Sequence, residues 1–295
     1  MQKIILYYLF TPIKDAEAIR LWQKNLALSL GLKGRIIIAD HGINGTLGGD
    51  INHLKDYIKQ TKTYDSFKPI SFKWTDGQAA DFPRLSVKVR SELVTFGLNK
   101  KLEVTKDGVV GGGKYISPEQ LHELVITKAD QLVFVDGRNS REAAIGKFKN
   151  AVVMDINHTR DFPAEIVKVD YEDLKQKTVV TYCTGGIRCE VLSKLMKDEG
   201  YKDVYQLEGG IVRYLDKYKD DGLWEGSLFV FDDRIRVKAS ERAKTIGHCD
   251  HCQIATDNYQ NCSNQACNEL ILACADCHQR TSTCYNCSLI TTKIA

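Results

Sequence analysis

Ten cysteines are spread very unevenly along this 295-residue chain, and their placement limits the folds open to it more than any other feature. None precedes Cys183. Cys183 and Cys189 share one glycine-containing loop, and the other eight crowd together as Cys249-x2-Cys252, Cys262-x4-Cys267, Cys274-x2-Cys277 and Cys284-x2-Cys287. A secreted disulfide scaffold does not leave its larger part bare and carry CxxC pairs in its tail, so metal binding in a reducing compartment is expected. Two thiolates separated by two residues can face one tetrahedral ion while loop N–H groups support the sulfurs. Four pairs make two sites of four thiolates each, read as two structural zinc ions, with iron–sulfur ligation the alternative. Intact pairs can combine in three ways, and spacing does not choose among them. His248, His251 and His278 stand beside these ligands, but eight cysteines already close both shells. Such sites fold a small module with little apolar core of its own.

The first two cysteines sit in Tyr-Cys-Thr-Gly-Gly-Ile-Arg-Cys, residues 182–189. The β-branched run before it reads as a buried strand, and Val191, Leu192, Leu195 and Met196 after it recur at helical spacing. A cysteine at a strand end, followed by Gly185, Gly186 and a helix start, stands in a nest of backbone N–H groups. The positive end of the helix and the Arg188 guanidinium act in the same direction, lowering the thiol's pKa. Cys183 is the expected reactive residue, with Arg188 as its catalytic partner and Gly185 and Gly186 as support. The Cys-x4-Arg spacing is one residue short of the Cys-x5-Arg loop of cysteine phosphatases. Loop and flanks resemble a rhodanese domain, and the resemblance implies a loop sized for sulfur rather than phosphate. Asp136-Gly-Arg138-Asn139, Ile145-Gly-Lys-Phe148 and Leu207-Glu-Gly-Gly-Ile211 are similar to the recurring segments that flank such a loop. Asp136 and Arg138 are expected to orient it or to close salt links beneath it, and Glu208-Gly-Gly210 to form a turn at positive φ.

Residues 1–107 read as β-α-β-β-α-β. Strand-like runs occupy 3–10, 34–39 and 70–74, and helix patterns 15–30 and 51–61. The glycine-rich stretch 40–49 lacks a Walker lysine and a GxGxxG spacing, so turn chemistry explains it better than a phosphate cradle, with Asn44-Gly45 a hairpin signal. This order predicts a ferredoxin-like (split βαβ, acylphosphatase-like) domain. Further strand-like pieces lie at 85–89 and 93–96, and the glycines of 108–113 mark a linker. Residues 114–226 alternate, with a helix starting at Ser117-Pro118, a short helix at 141–145, and strands at 132–136, 151–154, 179–183 and 204–207. Alternation predicts a parallel sheet covered by helices, with reactive groups at the carboxyl ends of its strands, so that Asp136 and Cys183 share one crevice. Residues 227–295 are expected to form a basic linker and a cysteine-rich zinc-binding domain. The fold class is α+β followed by α/β, closed by a metal-bound tail.

Composition adds little beyond this. Hydrophobic residues make 43% and charged residues 27% of the chain, as in ordinary globular proteins. No apolar run reaches the length of a membrane span, and the apolar start has no small-residue cleavage site, so a cytoplasmic protein with no membrane partner is expected. Net charge is +3. Cations cluster at Arg84, Lys88 and Arg90, at Lys100, Lys101 and Lys106, and at Arg234, Arg236, Lys238, Arg242 and Lys244. Any of these could touch nucleic-acid phosphates, although such clusters are more often solvated faces.

The three parts together resemble the tRNA uridine(34) hydroxylase family over nearly the whole chain. Gly42-Ile-Asn-Gly45, Gly222-Leu-Trp-Glu-Gly226 and Phe229-Val-Phe-Asp-Asp-Arg234 add to the likeness. The resemblance implies an oxidoreductase that hydroxylates the wobble uridine of certain tRNAs to 5-hydroxyuridine, with molecular oxygen as co-substrate and Cys183 as the active cysteine. It implies tRNA as partner, and the 234–244 cations and the ferredoxin-like front are the candidates to grip its anticodon arm; no obligate protein partner is evident. The sequence shows neither a two-His-one-carboxylate iron site nor a flavin motif. Two thiol chemistries remain open: addition of the thiolate to C6 of uracil, or a persulfide or sulfenic acid on Cys183. Cys189 then either resolves that oxidised sulfur as a disulfide or simply packs in the first helical turn. A rhodanese-type sulfurtransferase is the alternative function.

Overall fold

The computed structural model describes residues 1–98, 102–267, 269–280 and 283–287; Lys100 and Lys101 lie outside them. The front of the molecule runs β1 (Gln2–Phe10), α1 (Ala16–Ser29), β2 (Lys33–Ala39), β3 (Gly42–Asp50), α2 (Ile51–Thr61), β4 (Ser71–Thr75) and β5 (Leu85–Val89). Both helices begin at an aspartate that caps them: Asp15 accepts the Ala18 N–H and Asp50 the Asn52 N–H, each at 2.9 Å. The sheet order is β4-β1-β3-β2-β5, the expected ferredoxin-like arrangement with β5 added parallel to β2 at one edge. Strand residues alternate between faces. Ile5, Tyr7, Ile36, Ile38, Leu47 and Phe72 join residues of the helices in one core, while Tyr8, Arg35, Asn44, Lys73 and Lys88 line a cleft on the other side.

Two readings of the front need correction. The glycine-rich stretch is a strand: β3 runs straight through Asn44 and Gly45, paired with β1 and β2, and the turn falls at Asp40 and His41. Its glycines serve close packing, since a Cβ on Gly45 would meet the Tyr7 ring at 2.3 Å and one on Gly49 the Leu32 side chain at 2.3 Å. Residues 93–96 are no strand. Leu93 and Phe96 are buried in a core that also holds Phe10 and Ala39 of the front and Val135, Val179, Val191 and Leu192 of the centre. At about 1.5–3 kcal/mol for each large side chain fully buried, these contacts hold front and centre together.

The central sheet consists of β6 (Lys114–Ile116), β7 (Leu132–Asp136), β8 (Val152–Val153), β9 (Thr178–Tyr182) and β10 (Asp203–Leu207), all parallel, in the order β8-β7-β9-β10-β6. Around it lie α3 (Pro118–Thr127), α4 (Ser140–Ala144), α5 (Ile187–Asp198) and α6 (Gly210–Tyr218). Ser117 caps α3, with Gln120 returning the bond, as the sequence predicts. All five residues of β9 are buried, which is why it reads as an unbroken run rather than an alternation.

Past residue 226 the described chain holds little regular structure. Two short antiparallel pairs join Leu228–Phe229 to Arg236–Val237 and Tyr259–Asn261 to Leu270–Leu272, and a helix spans Ala275–Arg280. Buried cysteines dominate two small clusters there. Arg141 on α4 docks this tail on the centre by ion pairs to Asp250 (2.8 Å) and Glu269 (3.0 Å). Among the described residues no helix is long and apolar enough to cross a membrane.

Candidate active site and metal centres

Strand β9 delivers Cys183 to the carboxyl edge of the sheet, and α5 begins four residues on. Tyr182 anchors the strand end, packed edge-on against Phe148 with ring centres 4.7 Å apart. Gly186 takes φ +101°, a conformation few side chains tolerate, and its N–H donates to Cys183 Sγ at 3.2 Å. The turn at Glu208 buttresses the loop as expected: Gly209 and Gly210 have φ +75° and +64°. A Cβ on Gly210 would lie 2.4 Å from the Cys183 carbonyl oxygen, which accepts the Ile211 N–H at 3.0 Å.

Burial pushes the Cys183 thiol up, but the Cys189 S–H, the Arg188 guanidinium and the backbone N–H groups of Arg188 and Gly186 outweigh it and bring it down to about 5. Cys189 goes the other way, raised by burial and then by the Cys183 thiolate beside it. Cys183 is the thiol that ionises, and Cys189 is its donor.

The surrounding charges are less simple than the sequence suggests. Arg188 is clamped by Glu142 of α4, with bonds of 2.6 and 2.8 Å, and reaches Thr184 Oγ1 at 3.3 Å. Sequence reasoning missed Glu142, although a glutamate in the capped first turn of α4, beside the rhodanese-like segment, was the available signal. Asp136 and Arg138 form a fully buried pair (2.9 and 2.6 Å), and Arg138 also donates to the carbonyls of Gly146 (2.6 Å) and Glu142 (3.3 Å). Asp136 does not share the crevice of Cys183; the pair lies beneath the loop, where Arg138 stacks over Trp224 at 5.1 Å. Glu190, one turn into α5, is also buried. Burial raises its carboxyl against the donors Tyr115 (2.8 Å), Tyr8 (2.9 Å) and Gln206 (3.3 Å).

Cys183, Thr184, Gly185, Ile187 and Arg188 border a cleft of about 1250 Å³ between the loop, the open face of the front sheet and residues 228–239. Its cations come chiefly from the front: Lys3, Arg35, Lys73, Arg84, Lys88 and Arg90. Of the 234–244 cations only Arg234 and Lys238 line it. Each of the five candidates there has a carboxylate partner: Arg234 has Asp232 (2.6 Å), Arg236 and Lys238 have Asp257 (3.1 and 3.7 Å), Arg242 has Asp221 (3.6 Å) and Lys244 has Glu225 (3.7 Å). Arg35, Lys73, Arg84, Lys88 and Arg90 make no ion pair among the described residues. Lys106 does not line the cleft.

The eight tail cysteines gather as Cys249, Cys252, Cys274 and Cys277, and as Cys262, Cys267, Cys284 and Cys287, each set with its sulfurs within 4.8 Å of one another. Pair one therefore joins pair three and pair two joins pair four, a choice that spacing left open. A tetrahedral ion with metal–sulfur bonds of about 2.3 Å spaces its sulfurs about 3.8 Å apart; Cys252 and Cys274 are 3.5 Å apart, Cys267 and Cys284 3.7 Å. Backbone N–H groups support the thiolate form, as in Cys284 N–H to Cys262 Sγ at 3.3 Å, which with its neighbours brings Cys262 down to about 7. Donor set and spacing fit a metal in each cluster. His248, His251 and His278 are not members of either set.

Comparison with known proteins matches three family models: a UPF0176 acylphosphatase-like domain over residues 2–93, a rhodanese-like domain over 117–217 and a rhodanase C-terminal region over 225–289. Relatives named tRNA uridine(34) hydroxylase align along almost the whole chain. The protein of Corynebacterium glutamicum is 55% identical over 282 residues, covering 95% of this chain and 90% of its own. That of Pseudarthrobacter chlorophenolicus is 56% identical over 280 residues, covering 94% of each.

Proposed function

The chain belongs to the tRNA uridine(34) hydroxylase family, and from that premise we propose that Cys183 is the nucleophile that opens the wobble uridine of tRNA to hydroxylation at C5. The supporting observation is a depressed thiol at the edge of a basic cleft whose far wall is the front sheet. The wobble base is unpaired in the anticodon loop, so it can be splayed into such a cleft without breaking a base pair. The Cys183 thiolate, held by the Gly186 N–H and the Cys189 S–H, adds to C6 of the uracil. Addition makes C5 electron-rich, so that it attacks molecular oxygen as co-substrate. One oxygen atom becomes the C5 hydroxyl, and the other leaves as water with two electrons and two protons from an external reductant. Loss of the C5 proton expels Cys183 and restores the C5=C6 bond. The enzyme is thus an oxidoreductase.

Arg188 and Glu142 fix the loop, and Asp136 with Arg138 secures the strand ends below it. The cations Arg35, Arg84, Lys88 and Arg90, which make no ion pair among the described residues, take the phosphates of the anticodon arm, with Arg234 and Lys238 at the rim. Arg236, Arg242 and Lys244, already paired outside the cleft, contribute least. Zinc in both four-cysteine clusters, a redox-inert ion that thiolates bind tetrahedrally, holds the tail in shape and takes no part in the reaction. Activity belongs to the cytoplasm, where tRNA is modified.

Mass spectrometry of tRNA nucleosides from cells lacking the gene tests this, with complementation by wild type or Cys183→Ala. Restoration of the hydroxylated wobble uridine by wild type alone is expected. A change in a thiolated nucleoside instead, together with thiosulfate–cyanide turnover, would identify the protein as a sulfurtransferase, for which the rhodanese frame is also suited.

A further inference from the structure

We propose that Lys73, delivered by the front sheet rather than by the rhodanese-like domain, is a catalytic residue whose ammonium meets O4 of the target uracil as Cys183 adds to C6. This rests on the thiolate-addition reading above. The geometry carries it in three parts. First, the arginines near the loop are committed: Arg188 is clamped on Glu142 and Arg138 on Asp136. Second, Lys73 lines the cleft that Cys183 borders, with Nζ 4.7 Å from the centre of the Tyr8 ring. Tyr8 itself lies against Gly186, where an added Cβ would be 2.9 Å from its hydroxyl, and donates to Glu190. Third, Lys73 has no ion pair among the described residues. The charged groups facing it are Cys183 and Glu190 from the loop and α5, and Glu208 and Arg213 from the turn and α6. Those last two are paired with each other.

The chemistry needs such a group. As the S–C6 bond forms, the C5=C6 electron pair moves to C4–C5 and the C4=O4 pair moves onto oxygen. Nζ–H donates to that oxyanion or protonates it, and the proton returns when the S–C6 bond breaks. No oxidant or reductant enters this step. A preorganised donor to a developing oxyanion is worth about 10²–10³ in rate. Burial lowers the Lys73 ammonium to about 8, against the opposing pull of Cys183 and Glu190. It is therefore charged at neutral pH, yet acidic enough to pass a proton.

Exchange of the uracil C5 hydrogen with deuterated solvent, followed without oxygen on a tRNA bearing unmodified uridine at the wobble position, reports addition alone. The full-length metal-loaded protein is compared with Cys183→Ala, Lys73→Gln and Lys73→Arg, alongside tRNA affinity and the pH profile of Cys183 alkylation. Lys73→Gln is expected to slow exchange about 10²-fold, with tRNA affinity nearly unchanged and the alkylation midpoint moved upward, since the facing charge is lost. Lys73→Arg is expected to recover part of the rate and to move the alkaline limb, near pH 8 in wild type, upward. Exchange by Lys73→Gln within about threefold of wild type, while Cys183→Ala is dead, would overturn the role of Lys73 alone. So would a loss of tRNA affinity as large as the loss of rate, which would make Lys73 a phosphate contact. Hydroxylation by wild type with no exchange at all would sink the addition reading itself.

Discussion

The chain uses cysteine in two opposite ways. In the loop, Cys183 is held by a frame that is already complete: a fully buried strand before it, two buried arginine–carboxylate pairs around it, and glycines below. In the tail, cysteines are themselves much of the buried interior, and little else is available to hold the fold. The loop thiol is therefore free for chemistry, whereas the tail thiols are committed to structure. Burial, hydrogen bonding to N–H groups and a lowered pKa occur in both places and do not distinguish them. What distinguishes them is that three other sulfurs converge on each tail thiol, and only that of Cys189 on Cys183.

That contrast can be broken at several points. The largest effect is expected from the tail. Structural zinc supplies on the order of 10–16 kcal/mol in small zinc-dependent folds, so a strong chelator, or Cys249→Ser, should leave the segment past residue 247 open to protease while the front and centre still melt cooperatively. Survival of the tail without metal would mean that its cysteines are packing rather than ligating. Next comes Glu142→Gln, which leaves Arg188 buried without its counter-charge. A stability loss of about 3–5 kcal/mol is expected in denaturant titration. A loss below about 1 kcal/mol would show that water reaches the pair.

The pH dependence sharpens the comparison from the other side. The folded Cys183 thiol titrates at about 5, below its ordinary value of 9.0. Its contribution to stability is present in full above the ordinary value and is lost as pH falls through about 5. Iodoacetamide labelling of Cys183 should therefore keep its rate down to about pH 5; a midpoint near 9 would contradict the thiolate. The smallest expected effect is that of Cys183→Ala on stability measured near pH 5, where the linked ionisation contributes little, about 1 kcal/mol, with modification of tRNA abolished all the same. A large loss of stability would place Cys183 among the structural cysteines after all.

Much of this was legible from the sequence because local signals agreed with the tertiary outcome. The strand 132–136 and the helix 51–61 fall where the apolar pattern puts them, and the cysteine pairs announced their clusters. The failures share one cause, partners distant in the chain. Gly45 looked like a turn because the Tyr7 ring that needs its space is on another strand. Lys73 looked like any edge-strand lysine, since only the docking of front on centre brings it to Cys183. The cations of 234–244 looked like a phosphate grip because Asp257, Asp221 and Glu225 could not be seen beside them.

The order in which the tail cysteines pair has a consequence for synthesis. Had neighbouring pairs shared an ion, the first site would be complete once Cys267 left the ribosome. With alternate pairs interleaved, the first site must wait for Cys277 and the second for Cys287. Neither half of the tail can mature ahead of the other, and a chain cut short between Cys267 and Cys274 carries four tail thiols with no finished site, leaving it exposed to oxidation and to quality control.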